Sequence, residues 1–261
     1  MTAVASARAE VSSSARVEYI LRLADTSLIL AQRLGECVGH APALEEDLGL
    51  GNLALDLLGQ ARLLLTHAGK LEGSNRSEDD LAYFRDAPQF RNFTLVEQPN
   101  VDFAHVIVRQ LFVDAWQVPV FEALERSADA ELAAIASKAL KEAQYHRRFS
   151  GNWLVRLGDG TQESHRRVQE AVDALIRFTP EMFQPDAIDE TNQRSGFGVD
   201  LGGVRDRWQA DLSTVFARAT LRLPAAPGGA PVGKRGDHSE QLGYVLAEMQ
   251  HLQRAYPGAS W

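Results

Sequence analysis

The sequence predicts an all-α protein built on a four-helix bundle with one long crossover, followed by additional C-terminal helices. Three observations support this fold class. Four long segments repeat apolar residues with the helical period of three to four. Tight turns join the first segment to the second and the third to the fourth, whereas a much longer connection separates the second from the third.

Composition limits the function classes. The chain has 261 residues, 45% of them hydrophobic, and a net charge of −8. This acidity argues against a nucleic-acid binder and against a membrane-surface protein. The single cysteine, Cys37, cannot form an internal disulfide, and the N-terminal segment lacks the apolar centre of a secretory signal. We therefore expect a cytoplasmic protein without membrane or nucleic-acid partners.

The N-terminal region divides into a tail and a first helix. Residues 1–14 are small and polar, so we expect a flexible tail, with a single helical domain over residues 15–261. Helical periodicity predicts the first helix over residues 16–38, with Asp25 on its inner side. Gly39 and Pro42 then mark a tight turn.

The second helix is predicted over residues 43–69 and is apolar almost all the way round. That composition predicts burial on most sides. Its one polar stripe consists of Asn52, Asp56 and Gln60.

The connection over residues 69–99 is polar and turn-rich, with room for short helices. Adjacent antiparallel helices are usually joined by about 2 to 8 residues, so this segment is a predicted crossover. A four-helix bundle with one long crossover has the ferritin-like topology.

The third and fourth helices are predicted over residues 101–126 and 131–157. Asp114 lies on the inner face of the third, and Glu142 and His146 lie on that of the fourth. A fifth helix to about residue 178, a sixth over 201–223 and a last one to about 256 form a predicted C-terminal extension over about 160–261.

The inward carboxylates show a repeated symmetry. Residues equidistant from a tight turn lie at the same height in an antiparallel helix pair. Asp25 and Asp56 are centred on the first turn, and Asp114 and Glu142 on the second. One carboxylate per helix is the arrangement of a di-metal carboxylate bundle.

The imidazoles of such a site are missing. Di-iron bundles carry Glu-x-x-His on two helices, but Gly59 and Tyr145 stand at those positions, and His146 comes one residue late. Three interpretations follow: a working di-metal site, a degenerate one, or a hydrogen-bonded network unrelated to metal. The missing imidazoles favour a degenerate site, with the acids held by Gln60, Tyr145 and His146.

Long stretches of the chain resemble a known family, the non-catalytic structural subunits of the bacterial phenylacetyl-CoA ring epoxidase, a phenylacetate-CoA oxygenase. The resemblance extends from Tyr19 to Trp261 and rests on the runs LADTSLILAQRLGECVGHAPALEEDLGLGNLALDLLGQAR, FRDAPQFRNFTLVEQPNVDFA, VRQLFVDAWQV, KEAQYHRRFSGNWLVRLGDG and HSEQLGYVLAEMQHLQRAYPGASW.

That resemblance implies a ferritin-like partner protein that binds no iron itself. It implies a hetero-oligomer with a catalytic di-iron subunit, supplied with electrons from NADPH by a reductase containing FAD and an iron–sulfur centre. The implied complex is a monooxygenase of phenylacetate catabolism that converts phenylacetyl-CoA to its ring epoxide. The degenerate di-iron site is consistent with this division of labour.

A small basic loop precedes the last helix. Lys234 and Arg235 stand before a predicted helix N-terminus, a geometry suited to phosphate. Since the implied substrate carries the phosphates of CoA, both residues are candidates to bind them at the interface between subunits. The alternative is an ordinary solvated loop.

Two other functions are weighed against a structural subunit. A self-sufficient di-iron or di-manganese oxidase would need intact Glu-x-x-His pairs, which are absent. A ferritin-type storage protein would fit poorly with the extra C-terminal helices.

Overall fold

The computed structural model describes residues 2–259, with side chains from residue 13 onward, and within that range it contains helices and no strands. The all-α prediction is therefore confirmed. In this described part of the chain, ten α-helices follow in order: α1 Thr2–Gly35, α2 Leu44–Glu72, α3 Glu78–Tyr83, α4 Phe103–Leu124, α5 Ala130–Gly158, α6 Gln162–Leu175, α7 Ala187–Arg194, α8 Leu201–Arg218, α9 Glu240–Met249 and α10 His251–Ala255.

The bundle is made of two antiparallel pairs. Helix α1 packs along α2, α4 packs along α5, and α2 meets α5 over a shorter contact. The segment between α2 and α4 contains α3 and two short 3₁₀ turns, Ala87–Gln89 and Thr94–Glu97. This arrangement fits the predicted ferritin-like bundle with one long crossover.

Side-chain caps set the start of the second pair. The Asp102 carboxylate accepts a hydrogen bond from the His105 backbone N–H at 2.9 Å, and Asp129 accepts from Leu132 at 2.8 Å. Each cap satisfies a backbone donor that a helix N-terminus leaves free. The two caps therefore fix where α4 and α5 begin.

Several predicted boundaries differ from the structure. Helix α1 begins at Thr2, so most of the predicted tail over residues 1–14 has a helical backbone, and its flexibility stays a prediction. Helix α2 continues to Glu72 and ends where Gly73 adopts φ 73°. Helix α8 stops at Arg218, before the predicted end at residue 223, because Thr220 adopts φ 56°, outside the helical region.

Helix α7 was not predicted, because it lies in a segment that Pro and Gly made look like a loop. Its N-cap, Asp186, accepts from the Ile188 N–H at 3.0 Å and forms a capping box with Asp189. Polar residues dominate the helix, so no apolar period marks it. Packing against α1 holds it in place.

The C-terminal extension shares the apolar core of the bundle. Helices α6 and α8 pack on α4 and α5, and α9 packs on α1 and the crossover. The Trp208 Nε1–H of α8 donates to the Phe112 carbonyl of α4 at 2.9 Å. Division into a tail and a single domain over 15–261 stays a prediction.

Helix α2 is not buried on most sides, and that prediction was wrong. Four leucines on its outer face are exposed: Leu44, Leu48, Leu55 and Leu58. Among the described helices it is the one long and apolar enough to cross a membrane by length and composition, a test that a core helix also passes. Apolar composition showed that α2 has two apolar faces, but not that a neighbour in this chain covers only one of them.

Candidate functional site: the inward carboxylates

Asp25 of α1 is fully buried and lies in an ion pair that sequence analysis missed. Arg85 of the crossover donates to both carboxylate oxygens, with Nη1 2.9 Å from Oδ2. The Arg91 backbone N–H donates to the same oxygen at 2.8 Å. Arg85 is itself buried, and its guanidinium lies 4.3 Å from the centre of the Phe90 ring. None of Gln60, Tyr145 and His146 is among the hydrogen-bond partners of Asp25, contrary to the prediction.

Asp114 of α4 is also fully buried, but its direct hydrogen-bond donors are neutral. Gln110 Nε2 donates to Oδ1 at 2.7 Å, and Ser150 Oγ of α5 donates to Oδ2 at 2.7 Å. Burial raises the pKa of Asp114 to about 6, against the opposing effects of the His146 charge and the two hydrogen bonds.

Two polar pairs connect α2 with α5. His146 Nε2 lies 3.0 Å from Asp56 Oδ2, and Gln60 Nε2 donates to Glu142 Oε2 at 3.0 Å. His146 and Gln60 are buried, whereas the Asp56 side chain is 40% exposed. These pairs join the two halves of the bundle.

One predicted member is absent from this cluster. Tyr145 was expected to satisfy a buried acid, but it is 48% exposed. It neighbours His146 on α5, but consecutive helical residues point about 100° apart, and here His146 faces the core while Tyr145 faces solvent. Among the described residues, Gln60 Oε1 and His146 Nδ1 have no hydrogen-bond partner.

These residues do not fit a di-metal centre. Within residues 13–259, no three His, Cys, Asp or Glu side chains are grouped so that they could hold a metal ion. Asp25 is bound by Arg85, Asp114 is bound by Gln110 and Ser150, and Gly59 supplies no ligand. Hydrogen bonds within the protein therefore occupy both oxygens of each of the two fully buried carboxylates that would have to ligate the metal.

The two basic candidates of the C-terminal loop lie in different environments. Lys234 is 2% exposed, and its Nζ donates to Asp189 at 2.7 Å and to the Gln184 carbonyl. Arg235 is exposed, with Nε 3.5 Å from Asp186 Oδ2. The Lys234 ammonium group is therefore not available to bind a phosphate from solution, contrary to the geometry that the sequence suggested.

Buried acids also hold the C-terminal loop, and sequence analysis did not single them out. Glu97 of the crossover accepts from the Ser239 N–H at 2.8 Å and lies 2.6 Å from His238 Nδ1. Glu181 accepts from the Thr94 N–H at 2.6 Å, and burial raises its pKa to about 7, only partly offset by its hydrogen bonds. Because each partner is more than eighty residues away along the chain, no local pattern revealed these contacts.

Four exposed leucines in the described part of the chain form an outer leucine stripe on α2: Leu44, Leu48, Leu55 and Leu58. Leu48 is 60% exposed and Leu55 is 67% exposed. Their spacing of three, four and seven places all four on one face, opposite the buried leucines at 50, 53, 57 and 64. A contiguous apolar face of this kind commonly marks a protein interface.

Comparison with known proteins identifies the family. The model of the family described as phenylacetic acid catabolic protein matches residues 1–261. The chain is 51% identical over 243 residues to a protein of Escherichia coli strain K12 that is named as a subunit of 1,2-phenylacetyl-CoA epoxidase, covering 93% of this chain and 98% of that protein. These matches confirm the family resemblance seen in the sequence, and the chain belongs to the phenylacetic acid catabolic protein family.

Proposed function

We propose that this chain is the non-catalytic structural subunit of a multicomponent phenylacetyl-CoA epoxidase. It pairs with the catalytic subunit, which carries the di-iron centre, and supports that subunit in aerobic phenylacetate degradation. The proposal is supported by the similarity to a named epoxidase subunit over nearly the whole of both chains.

The outer leucine stripe is the structural observation that carries the proposal. Exposing Leu44, Leu48 and Leu55 to water is unfavourable, and burying a leucine side chain contributes roughly 1.5–3 kcal/mol. A helix with apolar residues on both faces is expected where one face packs in its own bundle and the other in a partner. We therefore assign the stripe to the interface with the catalytic subunit.

The carboxylate arrangement supports a non-catalytic role. When bound, a di-iron centre would supply the oxygen activation, and we place it in the partner subunit, with FAD and the iron–sulfur centre in the reductase. Residues of this chain keep their own bundle rigid instead: Arg85 pairs with Asp25, and His146 lies against Asp56. The chain thus acts as a preformed support in the cytoplasm.

Contact with the CoA part of the substrate is a separate proposal that now rests on Arg235 alone. Its side chain is exposed and lies at the edge of the C-terminal loop. Arg235→Gln should weaken binding of phenylacetyl-CoA to the assembled complex without affecting assembly. Unchanged binding at low salt would leave Arg235 as an ordinary surface residue.

Disruption of the stripe tests the partner role. The double substitution Leu48→Glu and Leu55→Glu should abolish co-purification with the catalytic subunit, because two carboxylates would be buried at the interface. The isolated variant should fold normally, since both positions face solvent. Leu252→Glu in α10, a similarly exposed leucine at 49%, is the matched control and should leave assembly intact. Undiminished association of the double variant would refute the assignment.

The alternative of a self-sufficient di-metal oxidase is tested by metal and by turnover. A metal that binds only the folded state raises the melting temperature by mass action. We expect no iron-dependent rise and no oxidation of phenylacetyl-CoA by this chain with reductase and NADPH alone. About two irons per chain with a clear rise would favour the oxidase.

A further inference from the structure

A cavity of about 480 Å³ lies in the C-terminal extension and shares no lining residue with the inward carboxylates. Its walls come from the turns after α6, from α8, and from the segment over residues 223–226. Pockets that bind small molecules usually measure about 300–1,000 Å³. The cavity is therefore large enough for an aromatic ring with a short substituent.

Two aromatic rings, those of Phe183 and Trp208, form part of the lining. The ring centroids of Phe183 and Trp208 lie 5.1 Å apart at an interplanar angle of 57°. The Trp208 Nε1–H is already bound to the Phe112 carbonyl, so the indole is held in place. Ile176 and Leu223 add apolar surface to the wall. Tilted rings favour an aromatic guest, which can contact them edge to face.

One cation stands at the border of this apolar surface. Among the described residues that line the cavity, Arg205 alone carries a charge. Its side chain is 55% exposed, and its ion-pair contact is with the neighbouring Asp206 at 3.8 Å, a residue that is itself 74% exposed. Such a contact is weak, so the guanidinium can bind a ligand carboxylate. By contrast, Arg207 on the same helix is bound by Glu122.

From this arrangement we propose that the cavity binds a small aryl carboxylate, with its ring against Phe183 and Trp208 and its carboxylate on Arg205. A single guanidinium matches one negative charge, which favours a monoanion over a phosphate ester. Exposed amide and hydroxyl groups at the cavity edge, from Gln184, Gln209 and Ser213, can hydrogen-bond the remaining carboxylate lone pairs. This site is independent of the leucine stripe and of the proposed function.

Four small ligands distinguish the contribution of the aromatic ring to binding from that of the carboxylate charge. Titration calorimetry on the full chain would compare phenylacetate, phenylacetamide, cyclohexylacetate and acetate. We expect saturable binding of phenylacetate, with an affinity about tenfold or more above that of the uncharged amide, the loss expected for a hydrogen bond to a charged group. Cyclohexylacetate should bind more weakly than phenylacetate, and acetate should not bind measurably.

Substitutions on α8 then locate the site. Arg205→Gln should reduce phenylacetate affinity to that of the amide, whereas Arg207→Gln, at similar exposure, should not. Ser213→Phe should fill the cavity and remove binding, whereas Thr214→Phe, next along the helix but outside the lining, should retain it. All four positions are on the exposed side of α8, so the variants should fold.

Several results would overturn the proposal. Absence of saturable phenylacetate binding would do so directly. Equal affinity for phenylacetate and its amide would show that Arg205 does not bind the ligand carboxylate. Binding that survives both Arg205→Gln and Ser213→Phe would lie elsewhere on the protein.

Discussion

Asp25 and Asp114 are both fully buried carboxylates in one bundle, yet their surroundings differ in kind. Asp25 lies in the α1 half, where the crossover contributes the guanidinium of Arg85. Asp114 lies in the α4 half, where an amide and a hydroxyl donate to it. The crossover segment therefore introduces a positive charge into one half of the bundle only.

The two carboxylates show two ways to retain an acid in a protein core. An ion pair keeps the carboxylate charged, and removing its cation leaves a buried charge uncompensated. Neutral donors stabilise the charge less, so burial raises the pKa of Asp114 to about 6 and the acid takes up a proton more readily. Four substitutions test this difference, in decreasing order of expected effect.

Arg85→Leu should cost about 3–5 kcal/mol of unfolding free energy, because Asp25 would remain buried without its cation. Urea denaturation measures this loss. Arg91→Leu is the matched control: its backbone N–H still binds Asp25, and its side chain pairs with a partly exposed Glu18. A similar loss in both variants would show that the guanidinium of Arg85 is not what stabilises Asp25.

Asp114→Asn should change how stability depends on pH. The folded-state pKa of about 6 lies above the ordinary value of 3.8, so the folded protein binds more protons between these values. Stability should thus fall as pH rises from about 4 to about 6, by roughly 3 kcal/mol, and stay level above that range.

The Asp114→Asn variant should lack this fall in stability between about pH 4 and about pH 6. Urea midpoints of both proteins at pH 4 and pH 7 provide the measurement. Glu181, with a pKa also raised, to about 7, remains in both proteins and cancels in the difference. Parallel pH profiles would contradict the raised pKa of Asp114.

Lys234→Met extends the comparison to a carboxylate with two cations. Asp189 contacts Lys234 at 2.7 Å and Arg22 at 3.1 Å. Because Arg22 remains, we expect a loss of about 2 kcal/mol in unfolding free energy, smaller than for Arg85→Leu. A loss as large as that of Arg85→Leu would mean that the second cation gives no compensation.

His146→Leu should have the smallest effect, about 1 kcal/mol, because Asp56 is partly exposed and water can replace the imidazole. The same substitution in an Asp56→Asn background should cost less still. Thermal unfolding of the four proteins completes a double-mutant cycle. Equal costs in both backgrounds would show that the contact with Asp56 contributes nothing to stability.

Much of the fold was predictable because helical periodicity and turn residues are local. The four bundle helices, the crossover and the inward positions of Asp25, Asp114 and Glu142 follow from residues close together in sequence. The missing imidazole at Gly59 is likewise a fact of the sequence alone.

Partners distant along the chain decided the rest. Arg85 reaches Asp25 across sixty residues, and Lys234 meets Asp189 across forty-five. Periodicity could not distinguish the buried face of α2 from its exposed leucine stripe, because both are apolar at helical spacing. The sequence by itself determined which residues share a helix face and which ligand types are present. Only the tertiary structure decided which charges neutralise one another and which apolar face stays uncovered, because both depend on contacts between segments far apart in the chain.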